Sequence, residues 1–88
     1  MALIDKIYLK KLYMSAKRRG TLELDLLFGN IADNYLNNMS VEQVKMFESF
    51  LNIDDVLIMK WLKGDEIIPD YYNNYIWQLM QSYKPNYK

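Results

Sequence analysis

A chain of 88 residues, 51% hydrophobic and 25% charged, has material for one small core and none for a second domain. It contains neither Cys nor His, which removes disulfides, thiol chemistry, Cys/His zinc sites and His-based general bases, so enzymatic chemistry would fall to carboxylates, Lys or Tyr. The formal charge is zero but unevenly placed: residues 1–19 hold six of the eleven Lys and Arg (Lys6, Lys10, Lys11, Lys17, Arg18, Arg19) and one acid, a dipolar arrangement suited to presenting one end to a partner of complementary field.

Three Gly, two Pro and no alternating apolar strands give an all-α pattern, expected as a compact five-helix bundle in a single domain over residues 1–88 with its ordered core at about 3–83. The first helix, about Leu3 to Arg18, directs Leu3, Ile4, Ile7, Tyr8, Leu12 and Met14 inward and sets Lys6, Lys10, Tyr13 and Lys17 in a basic stripe opposite. Gly20 fits the left-handed position that ends many helices, and Thr21 the N-cap of a second helix running to about Asn37. Leu24, Leu27, Phe28, Ile31 and Tyr35 form its inward stripe. Ser40-Val41-Glu42-Gln43 has the spacing of a capping box and starts a third helix with Val44, Phe47 and Leu51 inward. Asp54 caps a fourth that buries Leu57, Ile58, Trp61 and Leu62 and stops at Gly64. After an extended Ile67-Ile68-Pro69, a fifth helix from about Asp70 to Ser82 uses Tyr72, Ile76, Leu79 and Met80 and ends before Pro85.

Function, read from the residues, concentrates at Arg18-Arg19-Gly20-Thr21-Leu22-Glu23. A helix-terminal explanation exists: cations in a last turn answer the helix dipole, a glycine follows, and Glu23 and Asp25 sit where the next helix favours anions. Two arginines exceed that need, however, and a glycine at a turn admits another backbone, so a guanidinium fork and a carboxylate could grip a partner from both sides. Leu22 and Leu26 lie off the inward stripe and supply an apolar part of such an interface. The lysine stripe is read as a solvated face rather than a nucleic-acid site, because net charge is zero and ten acids lie elsewhere. Trp61, Trp77, Phe47 and Phe50 are read as core, and the six Met as gap-fillers. Glu23 and Asp25 point to different sides of a helix and Asp54-Asp55 look like a cap, so neither pair converges on a reacting atom, and no phosphate-cradling or calcium loop is present. No apolar run approaches the roughly 18 to 20 residues of a membrane span, and residues 1–6 lack a signal-peptide pattern, so the expected compartment is a bacterial cytoplasm without membrane insertion.

These residues resemble the succinate dehydrogenase flavinylation (assembly) factors, small helical proteins marked by an R-G-x-x-E motif, here Arg19-Gly20-Thr21-Leu22-Glu23. The likeness continues through Leu24-Asp25-Leu26-Leu27-Phe28-Gly29, Ala32-Asp33, Phe47-Glu48, Leu51, Asp54, Leu57, Trp61-Leu62, Gly64 and Pro69, covering about residues 11–69 in order. It implies a five-helix domain, an assembly factor rather than an enzyme, that binds the flavoprotein subunit of succinate dehydrogenase, and of fumarate reductase in some bacteria. There it promotes covalent attachment of FAD to a client histidine by holding one conformer of the client. On this resemblance FAD belongs to the client, the chain alone binds no cofactor or metal, and it acts as a monomer without nucleic acid. Arg19, Gly20 and Glu23 carry the motif over, and Arg18, Asp25, Lys17, Leu22 and Lys11 join them as expected partner-binding residues. Lys11 stands where relatives often carry Arg, which keeps the charge and loses the fork; Asn30 and Ile31 also depart from the common pattern. The alternatives are a helical module that binds nucleic acid or another protein through the basic first helix, and a small-molecule enzyme.

Overall fold

Local capping rules fix most helix starts in this chain. In a computed structural model that describes residues 5–83, α1 (Lys6–Ala16), α2 (Leu22–Tyr35), α3 (Val41–Leu51), α4 (Asp55–Lys63) and α5 (Tyr75–Ser82) follow one another, with 3-10 turns at Leu36–Asn38 and Asp70–Tyr72. The expected positions of Leu3, Ile4 and Pro85 lie outside the described residues. The Thr21 hydroxyl accepts from the Leu24 amide at 3.2 Å. At α3 the full capping box forms, Gln43 N–H to Ser40 Oγ at 3.1 Å and Ser40 N–H to Gln43 Oε1 at 2.9 Å. Gly64 closes α4 at φ +81°, in the left-handed region where a Cβ is disfavoured.

α1 packs on α2 and α3, and α5 closes the bundle against α2 and α3. The centre is aromatic: Phe28 of α2 meets Phe47 of α3 with ring centroids 6.1 Å apart, and Phe50 stands edge-on to Trp61 of α4 at 6.4 Å. Trp61, Trp77, Phe47 and Phe50 are all buried, as expected. Enclosing each such side chain removes apolar surface worth about 1.5–3 kcal/mol. Among the described residues no buried side-chain polar atom lacks a hydrogen-bond partner.

Three inward assignments change. α1 buries Leu12 and Ala16, with Tyr8, Leu9 and Tyr13 packed beside them, so its stripe is rotated from the expected one and leaves Ile7 64% and Met14 42% exposed. The cause is helical spacing: residues 8, 9, 12, 13 and 16 share one face, whereas 7 and 14 fall together with Lys11 on the other. Tyr35 leaves the core because its backbone (φ −129°, ψ −26°) tightens into the 3-10 turn, and Leu36 is buried in its place. The fifth helix begins at Tyr75 rather than Asp70, since the Asn74 side chain accepts from the amides of Ile76 (3.0 Å) and Trp77 (3.4 Å) and so sets the cap there. Tyr72 still packs on the core, from the preceding 3-10 turn, 5.1 Å from Phe50 and 5.5 Å from Trp61.

Candidate functional site: the connector between α1 and α2

α1 ends two residues earlier than its apolar pattern suggests. Its last carbonyls are taken by Lys17 N–H to Met14 O (3.2 Å) and Arg18 N–H to Ser15 O (3.1 Å), so no left-handed residue is required, and Gly20 does not adopt positive φ. The expectation of a helix-ending glycine at Gly20, with Arg18 and Arg19 answering the dipole of their own helix, is therefore corrected. Both arginines lie beyond the helix in the connector.

The two arginines then part company. Arg18 is exposed, and its side chain makes no hydrogen bond or ion pair among the described residues. Arg19 turns inward until its side chain is 9% exposed. Its Nε donates to Asp55 Oδ1 at 2.9 Å, Nη2 donates to the same oxygen and to Ile53 O at 2.8 Å, and Nη1 donates to Leu51 O. Leu51 is the last residue of α3, so this guanidinium answers the carbonyl end of a neighbouring helix instead of its own. The guanidinium carbon also sits 5.1 Å from the Phe28 ring centroid, a cation–π contact onto the core. The Arg19 backbone N–H donates to the Asp25 carboxylate, which pins the connector to the first turns of α2.

Gly20 is needed for a different reason from the one expected. Its N–H donates to Asp55 Oδ2 at 2.7 Å, and a Cβ there would lie 2.9 Å from that oxygen. The second carboxylate oxygen of Asp55 thus reads the glycine backbone while the first holds the guanidinium. Asp55 was not legible as a site residue, because it looked like half of a cap. Asp54 does occupy the cap position of α4, yet its side chain makes no capping bond; the available signal was a second acid where one suffices.

Around this internal bracket the remaining motif residues face out. Glu23 is exposed, and Leu22 is 69% exposed with Leu26 one turn further along α2. Asp25, by contrast, is half-buried and occupied by Arg19, so the two acids of the segment do separate work. Lys17 bonds Asp33 at 3.1 Å and lies 4.6 Å from the Tyr13 ring centroid. Tyr13 first and Lys17 second hold the Asp33 carboxyl below its ordinary range, and Tyr13 first and Asp33 second raise the Lys17 ammonium. Lys11 lies between Ile7 and Met14 on the exposed stripe of α1 that leads toward the connector. Two shallow grooves flank the segment: one of about 350 Å³ along α2, bounded by Lys17, Asp25, Leu26 and Asn30, and one of about 330 Å³ bounded by Thr21, Asp55, Val56 and Met59.

Among the described residues no group of three or more acids is placed to hold a metal ion, and no helix is long and apolar enough to cross a membrane. On the first groove Lys17 and the neighbouring Asp33 are bonded to each other at 3.1 Å. The geometry offers a contact surface, apolar at Leu22 and Leu26 and charged at Arg18 and Glu23.

Residues 10–84 match the family model described as flavinator of succinate dehydrogenase. The chain is 31% identical over 70 residues to the mitochondrial succinate dehydrogenase assembly factor 2 of Schizosaccharomyces japonicus, covering 80% of this chain and 49% of that protein. It is 40% identical over 55 residues to the FAD assembly factor SdhE of Shewanella oneidensis, covering 62% and 67%, and 32% identical over 79 residues to the mitochondrial succinate dehydrogenase assembly factor 2-A of Drosophila willistoni, covering 88% and 50%. The chain thus spans about half the length of these mitochondrial relatives and two thirds of the bacterial one. All three carry the name of assembly factors rather than of catalysts.

Proposed function

We propose, from the premise that this chain belongs to the family of flavinators of succinate dehydrogenase, that it docks through the α1–α2 connector on the flavoprotein subunit of that enzyme and promotes covalent attachment of FAD there. The flavin stays with the client. A chain without His lacks the residue type to which the flavin is attached in the client, which supports action in trans. The observation that carries the reading is the division of labour inside the motif: Arg19 and Gly20 are spent on Asp55, while Arg18, Leu22, Glu23 and Leu26 are left facing solvent. Ile7, Lys11 and Met14 extend that face along α1.

Binding of this kind works by selecting one arrangement of the client. A surface complementary to the flavinylation-competent conformer raises its population in proportion to the difference in affinity between conformers, without donating a catalytic side chain. The assay is co-production of the flavoprotein subunit with wild type, Leu22→Asp or Glu23→Ala, followed by covalent flavin fluorescence on a denaturing gel. Both variants should lower the signal while their own folded yield is unchanged. Full flavinylation by both would move the docking face away from this connector.

A further inference from the structure

The outward groups of the connector come from separate pieces of chain: Arg18 and Gly20 from the connector, Leu22 and Glu23 from the first turn of α2, and Val56 from the first turn of α4. α4 is anchored independently, through Ile58 and Trp61 in the core. What joins α4 to the connector is the carboxylate of Asp55, whose Oδ1 takes Arg19 Nε and Nη2 and whose Oδ2 takes Gly20 N–H. Its side chain is 21% exposed, so the bracket lies just beneath the surface it supports.

We propose that Asp55 is a positioning residue for partner docking, resting on the reading of the connector as the docking face: its two oxygens set the attitude of the Gly20 backbone and of the α2 start relative to α4. The two bonds are not equivalent in effect. Arg19 retains the carbonyls of Leu51 and Ile53 if Asp55 is lost, and so stays seated at the end of α3. Gly20 has no other acceptor among the described residues, and its amide turns to water. The connector is then held through Arg19 alone, by its side chain at Leu51 and Ile53 and its amide at Asp25, while the Gly20 backbone is released. A partner meets a loop that must be reordered on binding, and that ordering cost weakens association even where the fold survives. Asp55→Asn makes the change minimal, since it keeps the shape and sets an NH2 donor against either Gly20 N–H or the guanidinium.

The test measures affinity of the full chain for purified flavoprotein subunit at a temperature where every variant is folded, beside thermal melting and the Gly20 amide resonance. Asp55→Asn should shift the Gly20 amide proton upfield and weaken binding about tenfold or more, the loss expected for a charge-assisted bond. Val44→Ala, a fully buried change in α3 away from the connector, supplies a stability-matched control that should bind as wild type. Equal binding by Asp55→Asn and Val44→Ala, with Glu23→Ala weakened, overturns the positioning role alone. Wild-type binding by Glu23→Ala and by Leu22→Asp overturns the docking reading and the inference with it. Should Asp55→Asn not fold, Asp55→Glu is read by the same criteria, because it keeps the charge and misplaces the carboxylate by one methylene.

Discussion

Replacing Arg19 by Ala should unfold this protein at a markedly lower temperature, whereas replacing its neighbour Arg18 should hardly be felt. Arg19 donates to three acceptors, the Asp55 carboxylate and the carbonyls of Leu51 and Ile53, with its side chain 9% exposed. Removing one partner of a buried ion pair costs about 3–5 kcal/mol, because the other charge stays behind without compensation. Water reaches part of the Asp55 carboxylate, so the lower end applies, about 3 kcal/mol. An 88-residue domain has about 4–13 kcal/mol in total, and each kcal/mol is worth about 4–8 °C in a domain of this size. Arg19→Ala should therefore melt about 12–24 °C below wild type. Arg18, exposed and unpaired among the described residues, should change stability by less than about 0.5 kcal/mol on truncation. Arg19→Lys falls between, since an ammonium keeps the charge pair and loses the fork that serves Leu51 and Ile53. Urea and thermal melts at neutral pH decide the matter. Equal midpoints for Arg18→Ala and Arg19→Ala would refute the claim that the motif arginine is an internal brace, and would return it to the open surface.

Two further outcomes follow from other parts of the fold. The Tyr8 hydroxyl donates to Glu48, and burial first, then that carboxylate, push its pKa from 10.0 up to about 12. A group raised on folding contributes stability below its unfolded value and loses it as pH climbs from about 10 to about 12. The urea-midpoint gap between wild type and Tyr8→Phe should narrow across that window, and a gap constant from pH 9 to 12 would show that the bond carries no linked proton. Gly29→Ala and Gly64→Ala should move stability in opposite directions. A Cβ at Gly29 meets Lys17 Cγ at an ordinary 3.6 Å, so the helical propensity gain of about 0.5–1 kcal/mol is realised. At Gly64, open space surrounds a φ of +81°, and the strain costs about 1 kcal/mol; like signs for the two in denaturant melts would contradict these geometries.

Three helix ends decided within a few residues were legible in the sequence. Thr21 with Leu24, Ser40 with Gln43, and Gly64 after Lys63 each close a helix end with groups next to them in the chain, and each formed as read. The buried stripes of α2 and α3 followed from spacing alone, apart from Tyr35, where the helix tightens. Most misreadings gathered where distant chain decides, the start of the fifth helix being the local exception. Ile7 and Met14 are as apolar as Leu9 and Leu12, and only the packing of α1 on α2 and α3 selects the face that is buried. The role of Gly20 depends on Asp55, 35 residues further on, and that of Arg19 on the end of α3, 32 residues away. Nothing in R-G-x-x-E by itself says that its arginine points in and its glutamate out. The fifth helix began late because Asn74, inside a run of polar and aromatic residues, offers a better cap than Asp70.

The central claim is that the outward part of the connector binds the flavoprotein subunit while the inward part holds it in shape. The most direct measurement is the affinity of purified flavoprotein subunit for wild type, Leu22→Asp and Glu23→Ala, taken with all three shown by circular dichroism to be equally folded. The account predicts unchanged melts and binding weakened about tenfold or more in both variants, as for hot-spot residues of an interface. Wild-type affinity in both variants, with equally intact folds, would contradict it.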